Sequence, residues 1–587
     1  MRRADRSRGM GVRFASALAA ALTALLLTPA AGMAAGPFGP LNDLLALGQG
    51  GGQTPVTAPV QKPPAPPMDA TPRAVCGPGS KPEPGIQGRV PAGSATDGLW
   101  CNVKLLSHQG TSGGFKVLRY VDAAGHECAY YDTALLFPLN AFNLNSSGIG
   151  VVVLDMSDPS KPVQTDTLTE PPMLTPHESL TLNQKRGLLA AVSGNPATYP
   201  GLVSIYDVSK DCRHPVHDYT GLIARLGHES GFSADGKTFY ATATAYQAIT
   251  AIDVTDPKAP HAIWQGNVFS HGMSLSDDGN RAYVADPTGR NMLILDTSEI
   301  QARKPDPQTR EISRITWDRA SIPQNAIPFT SHGKPYLLEF DEYNASTLGD
   351  GSPDDVGAGR IIDISDEREP RIVSNLRLQV DQPKEHAEAG GDPGADGPIH
   401  GGAQGYAAHY CNIPTRTDPK IAACSFIASG LRLFNIEDVT KPREIGYFVA
   451  PAKAKVENGG QASNFAMSQP AFVPERHEIW FTDGVSGFYA LRVSDSVWPA
   501  DSAAVRGACE SGTRRTYTLK LPRGSRARSV RAALGRKRVR VVRVKSAAGG
   551  LRVTVSTVGL RAGKLRFRVR LANGTTVSVA RAFRGCR

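Results

Sequence analysis

Helical periodicity is nearly absent from this chain of 587 residues, and no apolar run long enough to cross a membrane follows its first 35 residues. The first lack argues against helical bundles and alternating βα folds. The second argues against a membrane-spanning body. No C-x-x-C pair occurs among eight cysteines and no H-E-x-x-H among 13 histidines. Zinc ribbons, thioredoxin-like redox centres and zincin proteases therefore lack their sequence grounds. Acidic residues almost vanish from Cys509 onward, where Glu510 stands alone against 22 lysines and arginines, a local charge of +21. The whole chain carries +11, so the body before Cys509 is acidic, at −10. The basic end has only Tyr517, Phe567 and Phe583 as aromatics, too few for a base-stacking platform, which speaks against a nucleic-acid partner.

What is present begins with "MRRADRSRGMGVRF" and the apolar "ASALAAALTALLLTPAA", ending in small residues near Met33. A basic head, a short apolar middle and a small-residue exit describe a secretory signal peptide over residues 1–34. Residues 35–75 are rich in proline and glycine and read as a flexible linker. An even number of cysteines in an exported chain implies disulfides. Cys411 and Cys424 are close enough to staple one hairpin, and Cys509 and Cys586 bracket the basic end like a clasp. Cys76, Cys101, Cys128 and Cys212 leave three pairings open; the favoured one joins Cys101 to Cys128 and Cys76 to Cys212. The expected location is secreted or extracellular, with the cell envelope as a candidate place of retention.

One phrase recurs through the body: "VVVLDMSDPSKP" from Val151, "VSIYDVSKDCRHP" from Val203, "ITAIDVTDPKAP" from Ile249 and "MLILDTSEIQARKP" from Met292. It continues as "RIIDISDEREP" from Arg360, "RLFNIEDVTKP" from Arg432 and "YALRVSDSVWP" from Tyr489. A β-branched run delivered into Ser/Thr-Asp and proline is a strand entering a tight turn. Asp-Gly hairpins such as "SGFSADGKTFYATAT" precede several copies. Four strands per repeat at this spacing predict an all-β fold: a seven-bladed β-propeller over residues 76–500, then a small basic β-sandwich-like domain over 509–587. A strand within Leu99–His108 is expected to complete the last blade, because an open ring would leave raw edges.

The phrases "LDMSDPSKP", "IDVTDPKAP" and "IDISDEREP" resemble the LVIVD repeats of secreted bacterial β-propellers, and "SADGKTFYATAT" is similar to a YVTN-type blade. The resemblance covers roughly Lys104–Val497. It implies architecture far more than activity, and Asn435 departs from the repeat's aspartate.

Histidines return at one point of successive repeats: His177 in "TPHESL", His228 in "LGHESGF", His271 in "FSHGMSL" and His409 in "AAHYCNIP". Each lies just before an innermost strand, so the four are expected around one mouth of the channel. Gln324, Asn325 and Gln469 occupy the matching points of other blades and are candidate ligand-binding residues. Glu178 and Glu229 follow their histidines, while Asp286, Glu339 and Asp483 end second strands; these five are expected to orient the imidazoles. Imidazole with carboxylate is a donor set for a transition metal, with iron or copper expected here. The competing reading makes each histidine a clasp onto a neighbouring blade's backbone. Two functions therefore stand. One is an exported binding protein, retained by an anionic wall polymer or glycan on its basic domain and receiving a protein or small molecule at the channel. The other is a metal-dependent oxidase or oxygenase using the histidine ring.

Overall fold

The computed structural model describes residues 52–133, 149–194, 201–225, 227–243, 248–343, 355–395, 405–452 and 464–499. At the C-terminal end it describes 514–522, 525–534, 537–547, 550–556 and 563–583. The signal peptide and the Cys509–Cys586 clasp lie outside these residues. The chain divides into two units, Met1–Pro499 and Ala500–Arg587.

Among the described residues, six sheets of the first unit each contain an antiparallel run of four successive strands, and two of the six take a fifth strand from the N-terminal arm. They fall within Val117–Leu168, Thr181–Leu222, Gly231–Gly266, Met273–Ile315, Ile322–Leu376 and Tyr410–Val449. A further sheet joins Ala471–Val473, Glu478–Asp483 and Gly487–Val493 to Val103–Gln109, which pairs antiparallel with Gly487–Val493 as the sequence predicts. This late sheet also meets the first one: Val117 N donates to Gln469 O at 3.1 Å and Gln469 N to Phe115 O at 2.8 Å. The fold is propeller-like. Its core lies in slabs between neighbouring sheets, as where Leu188, Ala190 and Val192 pack on Phe239, Ala241 and Ile252.

The recurring aspartate has a mechanical reason. Each ends a third strand and accepts the backbone N–H two residues on: Asp155 from Ser157, Asp207 from Ser209, Asp253 from Thr255, Asp296 from Ser298 and Asp363 from Ser365. Asn435 does the same for Glu437, so asparagine in place of aspartate keeps the turn. Between third and fourth strands a register shift recurs, as at Ile205/Tyr206 and Leu433/Phe434. Such a bulge bends the strand and increases its local twist.

Two expectations are corrected here. Residues 52–75 are not a free spacer. Gln53 N donates to Gln265 O, Val60–Gln61 pairs in parallel with Arg314–Ile315, and Thr71 N donates to Arg377 O. Prolines prevent a continuous central strand but permit such isolated bonds along exposed sheet edges, and the segment covers edges that would otherwise be open. Cys76 pairs with Cys101 and Cys128 with Cys212, rather than Cys101 with Cys128 and Cys76 with Cys212. The N-terminal arm returns to the sheet of Tyr447–Val449 through Leu99–Cys101, which brings Cys76 beside Cys101 and away from Cys212. Cys411 and Cys424, directly opposite in adjacent strands, are bonded.

A buried ion pair fixes the same arm. Arg432 donates from Nη2 to Glu83 Oε2 at 2.8 Å and from Nη1 to Glu444 Oε1 at 3.0 Å, with no exposure at any of the three side chains. Tyr447 caps the guanidinium face at 4.3 Å.

The second unit has two antiparallel sheets, one of Arg514–Lys520, Gly550–Ser556 and Val541–Ala547, the other of Lys537–Val539, Ala527–Leu534, Gly563–Leu571 and Thr576–Phe583. Leu519, Leu551, Val553 and Val555 of the first share one core with Ala532, Leu565, Phe567 and Val569 of the second. It is a small sandwich. Arg566, Arg568 and Arg570 alternate with those buried residues on the exposed face.

Arg432→Ala should destabilise the protein by about 3–5 kcal/mol in urea unfolding, because it leaves the buried Glu83 and Glu444 carboxylates without their shared guanidinium. A loss below about 1 kcal/mol would show that the arm is not locked at Arg432.

Candidate metal centre

The four histidines come from four sheets and arrive by a shared local rule: each lies a few residues before an innermost strand. His228 and His271 precede Gly231–Phe232 and Met273–Leu275, whose hairpins turn at Gly236 (φ 72°) and Gly279 (φ 74°). His177 adopts φ 50°, in the left-handed region. Gly194 backs it so closely that a Cβ there would lie 2.6 Å from His177 Cβ, so only glycine leaves room for this bend.

The rings are neighbours. Centroids of His177 and His228 are 4.6 Å apart, as are those of His228 and His271, and Phe115 lies between His177 and His409 at 4.6 and 5.3 Å. Two carboxylates stand among them. Glu178 places Oε2 2.9 Å from His228 Nε2 and 3.9 Å from His271 Nε2, with Oε1 3.2 Å from His409 Nε2. Glu342 places Oε1 3.2 Å from His271 Nε2 and Oε2 2.7 Å from His409 Nε2. His271, His409, Glu178 and Glu342 are all buried.

The other ring nitrogens are occupied. His271 Nδ1 bonds Pro323 O and His409 Nδ1 bonds Met467 O, both at 2.8 Å and both onto the following sheet. A backbone carbonyl accepts only from N–H, so Nδ1 carries a proton and Nε2 faces inward, able to offer a lone pair once it is deprotonated. His228 Nε2 and His409 Nε2, although close to carboxylate oxygens, make no hydrogen bond of acceptable angle. The sheet-clasping reading thus holds for two histidines, and the same bond sets the tautomer a metal ligand needs.

Burial raises the Glu178 carboxyl, but His228, His409 and His177 outweigh it and hold it well below the usual carboxylate range. Burial lowers the His409 imidazole, yet the nearby Glu178 and Glu342 carboxylates prevail and raise it to about 9. Burial keeps His271 below its ordinary value, with Glu342 opposing.

Gln324 belongs to the centre, donating Nε2 to Glu178 Oε2 and, at 2.8 Å, to Tyr410 Oη. Glu229 instead receives Lys116 Nζ in a buried ion pair, and Gln469 Oε1 lies 3.5 Å from the same ammonium. Lys116 also covers the Tyr410 ring at 4.0 Å. Asn325 accepts from Ser274 Oγ. Lys116, Glu229, Asn325 and Gln469 line a cavity of about 480 Å³ together with inner-strand residues such as Thr181, Met273 and Asn412.

Three expected carboxylates are elsewhere. Asp286 accepts from Arg314 and from the amides of Thr288 and Gly289. Glu339 pairs with buried Arg360, and Asp483 accepts the Phe465 amide at 2.6 Å. Each ends or approaches the end of a second strand as read, but turns and ion pairs consume it. Glu342, Lys116 and Tyr410 were not marked by the repeat pattern. Aligning second-strand ends on aspartate (Asp132, Asp341, Asp483) would have shown Glu342 as the next residue, turned to the opposite face.

Other clusters and motifs have structural explanations. Asp122, His126 and Asp211 lie close together, but Asp122 is saturated by the amides of Ala124, Gly125, His126 and Cys212 and by His126 Nδ1. "GFSADGKT" at Gly231–Thr238 has the spacing of a phosphate-binding loop, yet it forms a β-hairpin with no helix behind it. "GTSGG" at Gly110–Gly114 has nucleophile-elbow spacing, but Ser112 is buried and bonds Thr133 O.

No protein-family model matches the chain, and no curated protein matches it. Solved structures are similar at 10–14% identity. Pseudomonas aeruginosa periplasmic gluconolactonase PpgL is 13% identical over 60% of this chain and 94% of its own, with a TM-score of 0.39. Kuenenia stuttgartiensis hydrazine synthase is 12% identical over 66% and 97%, with a TM-score of 0.40. A putative 6-phosphogluconolactonase from Bacteroides fragilis is 13% identical over 59% and 89%, at 0.36. At these values nothing about activity transfers. The three disulfides are the covalent chemistry of an exported protein, and no described helix is long and apolar enough to cross a membrane.

In chelator-treated protein the His409 imidazole, raised from 6.5 to about 9, contributes stability in full below its unfolded value and loses it as pH rises through the folded one. Melting temperature should therefore fall between about pH 6.5 and about pH 9, and His409→Gln should flatten that decline. The same slope in the variant would show that this imidazole does not carry the charge.

Proposed function

We propose that the first unit is a seven-bladed propeller of an exported metal-binding protein, its channel mouth holding a transition metal on His177, His228, His271 and His409 with Glu178 and Glu342. The observation that carries this reading is the inward Nε2 of His271 and His409, fixed by backbone bonds from Nδ1 and facing buried carboxylates. Six converging donors are far more than a sheet clasp requires. A set of imidazoles and carboxylates without thiolate suits iron or copper(II) and disfavours copper(I).

A metal-dependent oxidase or oxygenase is the second reading. It is favoured by the buried Lys116–Glu229 pair and the Tyr410 phenol beside the cluster, groups able to hold a proton next to a reacting ligand. The bound metal would supply redox chemistry; Gln324 would orient Glu178, and the buried rings would exclude water.

The test is elemental analysis of the full chain purified without chelator, followed by thermal melting with and without metal. Binding only to the native state stabilises by about 2.7 kcal/mol at a hundredfold excess over Kd. Near-stoichiometric metal lost in the His228→Ala/His409→Ala double variant is the expected result. A protein that carries no metal and gains no stability from iron, copper, manganese or zinc would overturn the reading.

The second unit is proposed to bind an anionic cell-wall polymer or glycan. Arg566, Arg568 and Arg570 lie exposed on one strand, and Arg531 stands directly opposite Arg568. Like charges facing each other destabilise a sheet, so the pattern fits a surface that meets polyanion. Replacing Arg566, Arg568 and Arg570 by serine should lower the salt concentration that elutes the protein from dextran sulfate. Unchanged elution would contradict this role.

A further inference from the structure

We infer that the centre holds two metal ions bridged by Glu178, with Glu342 as the second bridging carboxylate. The inference rests on the metal-binding reading above and concerns how many ions that site takes.

The donors fall into two triads with one shared member. His177, Glu178 and His228 form one, and Glu178, Glu342 and His409 form the other; within each, the donor atoms lie within 4.8 Å of one another. Glu178 divides its oxygens between them, Oε2 toward His228 at 2.9 Å and Oε1 toward His409 at 3.2 Å. Glu342 is also divided, with Oε1 toward His271 at 3.2 Å and Oε2 toward His409 at 2.7 Å. His271 stands between the triads, its ring centroid 4.6 Å from that of His228.

A carboxylate chelating one ion turns both oxygens to a single point. Here the two oxygens of each carboxylate serve different imidazoles, which is the arrangement of a bridge. Paired ions in bridged sites lie about 3.5–4 Å apart, a separation compatible with neighbouring rings at these distances. Four imidazoles and two carboxylates also exceed the four donors of an ordinary zinc site. Divided between two ions, they leave each with nitrogen and oxygen donors and an open position, a set suited to iron or manganese. The second carboxylate lies beyond the repeat: Glu342 is supplied by the long strand Lys334–Glu342, from a sheet that contributes no histidine to the centre.

Manganese(II) reports the arrangement directly. Chelator-treated full chain, titrated with manganese(II), should take up two ions per chain by calorimetry and elemental analysis. The six-line electron paramagnetic resonance signal of an isolated ion should weaken as the second equivalent binds and the pair couples. Glu178→Gln should abolish the coupled signal. Glu342→Gln, which leaves the first triad intact, should retain one ion with an ordinary six-line signal even if Glu178→Gln does not fold. One ion per chain in the wild type, or two ions with an undiminished six-line signal, would overturn the bridged pair and leave the metal-binding reading standing. No uptake, together with no change in melting temperature, would remove both.

Discussion

Closure of the chain on itself is the constraint on which the rest depends. Val103–Gln109 from the beginning of the propeller-like unit pairs with Gly487–Val493 from its end, and the Phe115–Val117 backbone bonds Gln469. No single sheet holds more than a fragment of the histidine cluster. Its donors come from separate sheets and meet in one place, and the terminal pairing holds the beginning and end of the unit together. The N-terminal arm reinforces it through the Cys76–Cys101 bond and the Glu83–Arg432 pair. Antiparallel pairing of this kind also protects the last sheet's edge.

Within that frame, burying Glu178 and Glu342 is costly unless positive charge or donors accompany them. In the metal-free chain the compensation comes from imidazoles, above all His409, whose proton is retained to unusually high pH. A cation bound as proposed would replace those protons. On that proposal the same six side chains would serve two states, one closed by hydrogen ions and one by metal, with the choice depending on pH. Gln324 and Tyr410 are useful in both, since an amide donor bonds Glu178 whichever charge faces it.

Much of this was legible in the repeats. Strand periodicity and the aspartate turn identify the sheets, and each of the four histidines lies within four residues before an inner strand, so their convergence follows from the fold. Glu342 escaped for a local reason. It belongs to an extended strand with a register shift at Pro323/Asn325, where Asp341 takes the role that Asp483 takes elsewhere and Glu339 is drawn into a pair with Arg360. Lys116 precedes the first inner strand, before the first copy of the repeated phrase. The cysteine pairing depended on the course of a proline-rich arm, which spacing cannot reveal because its bonds are isolated rather than periodic.

X-ray absorption at the metal edge of the iron- or manganese-loaded full chain tests the central claim most directly. Convergence of imidazoles from separate sheets predicts nitrogen and oxygen in the first shell with the multiple scattering of coordinated imidazole. A shell of oxygen alone, without imidazole scattering, would contradict it and leave the histidines as fasteners between sheets.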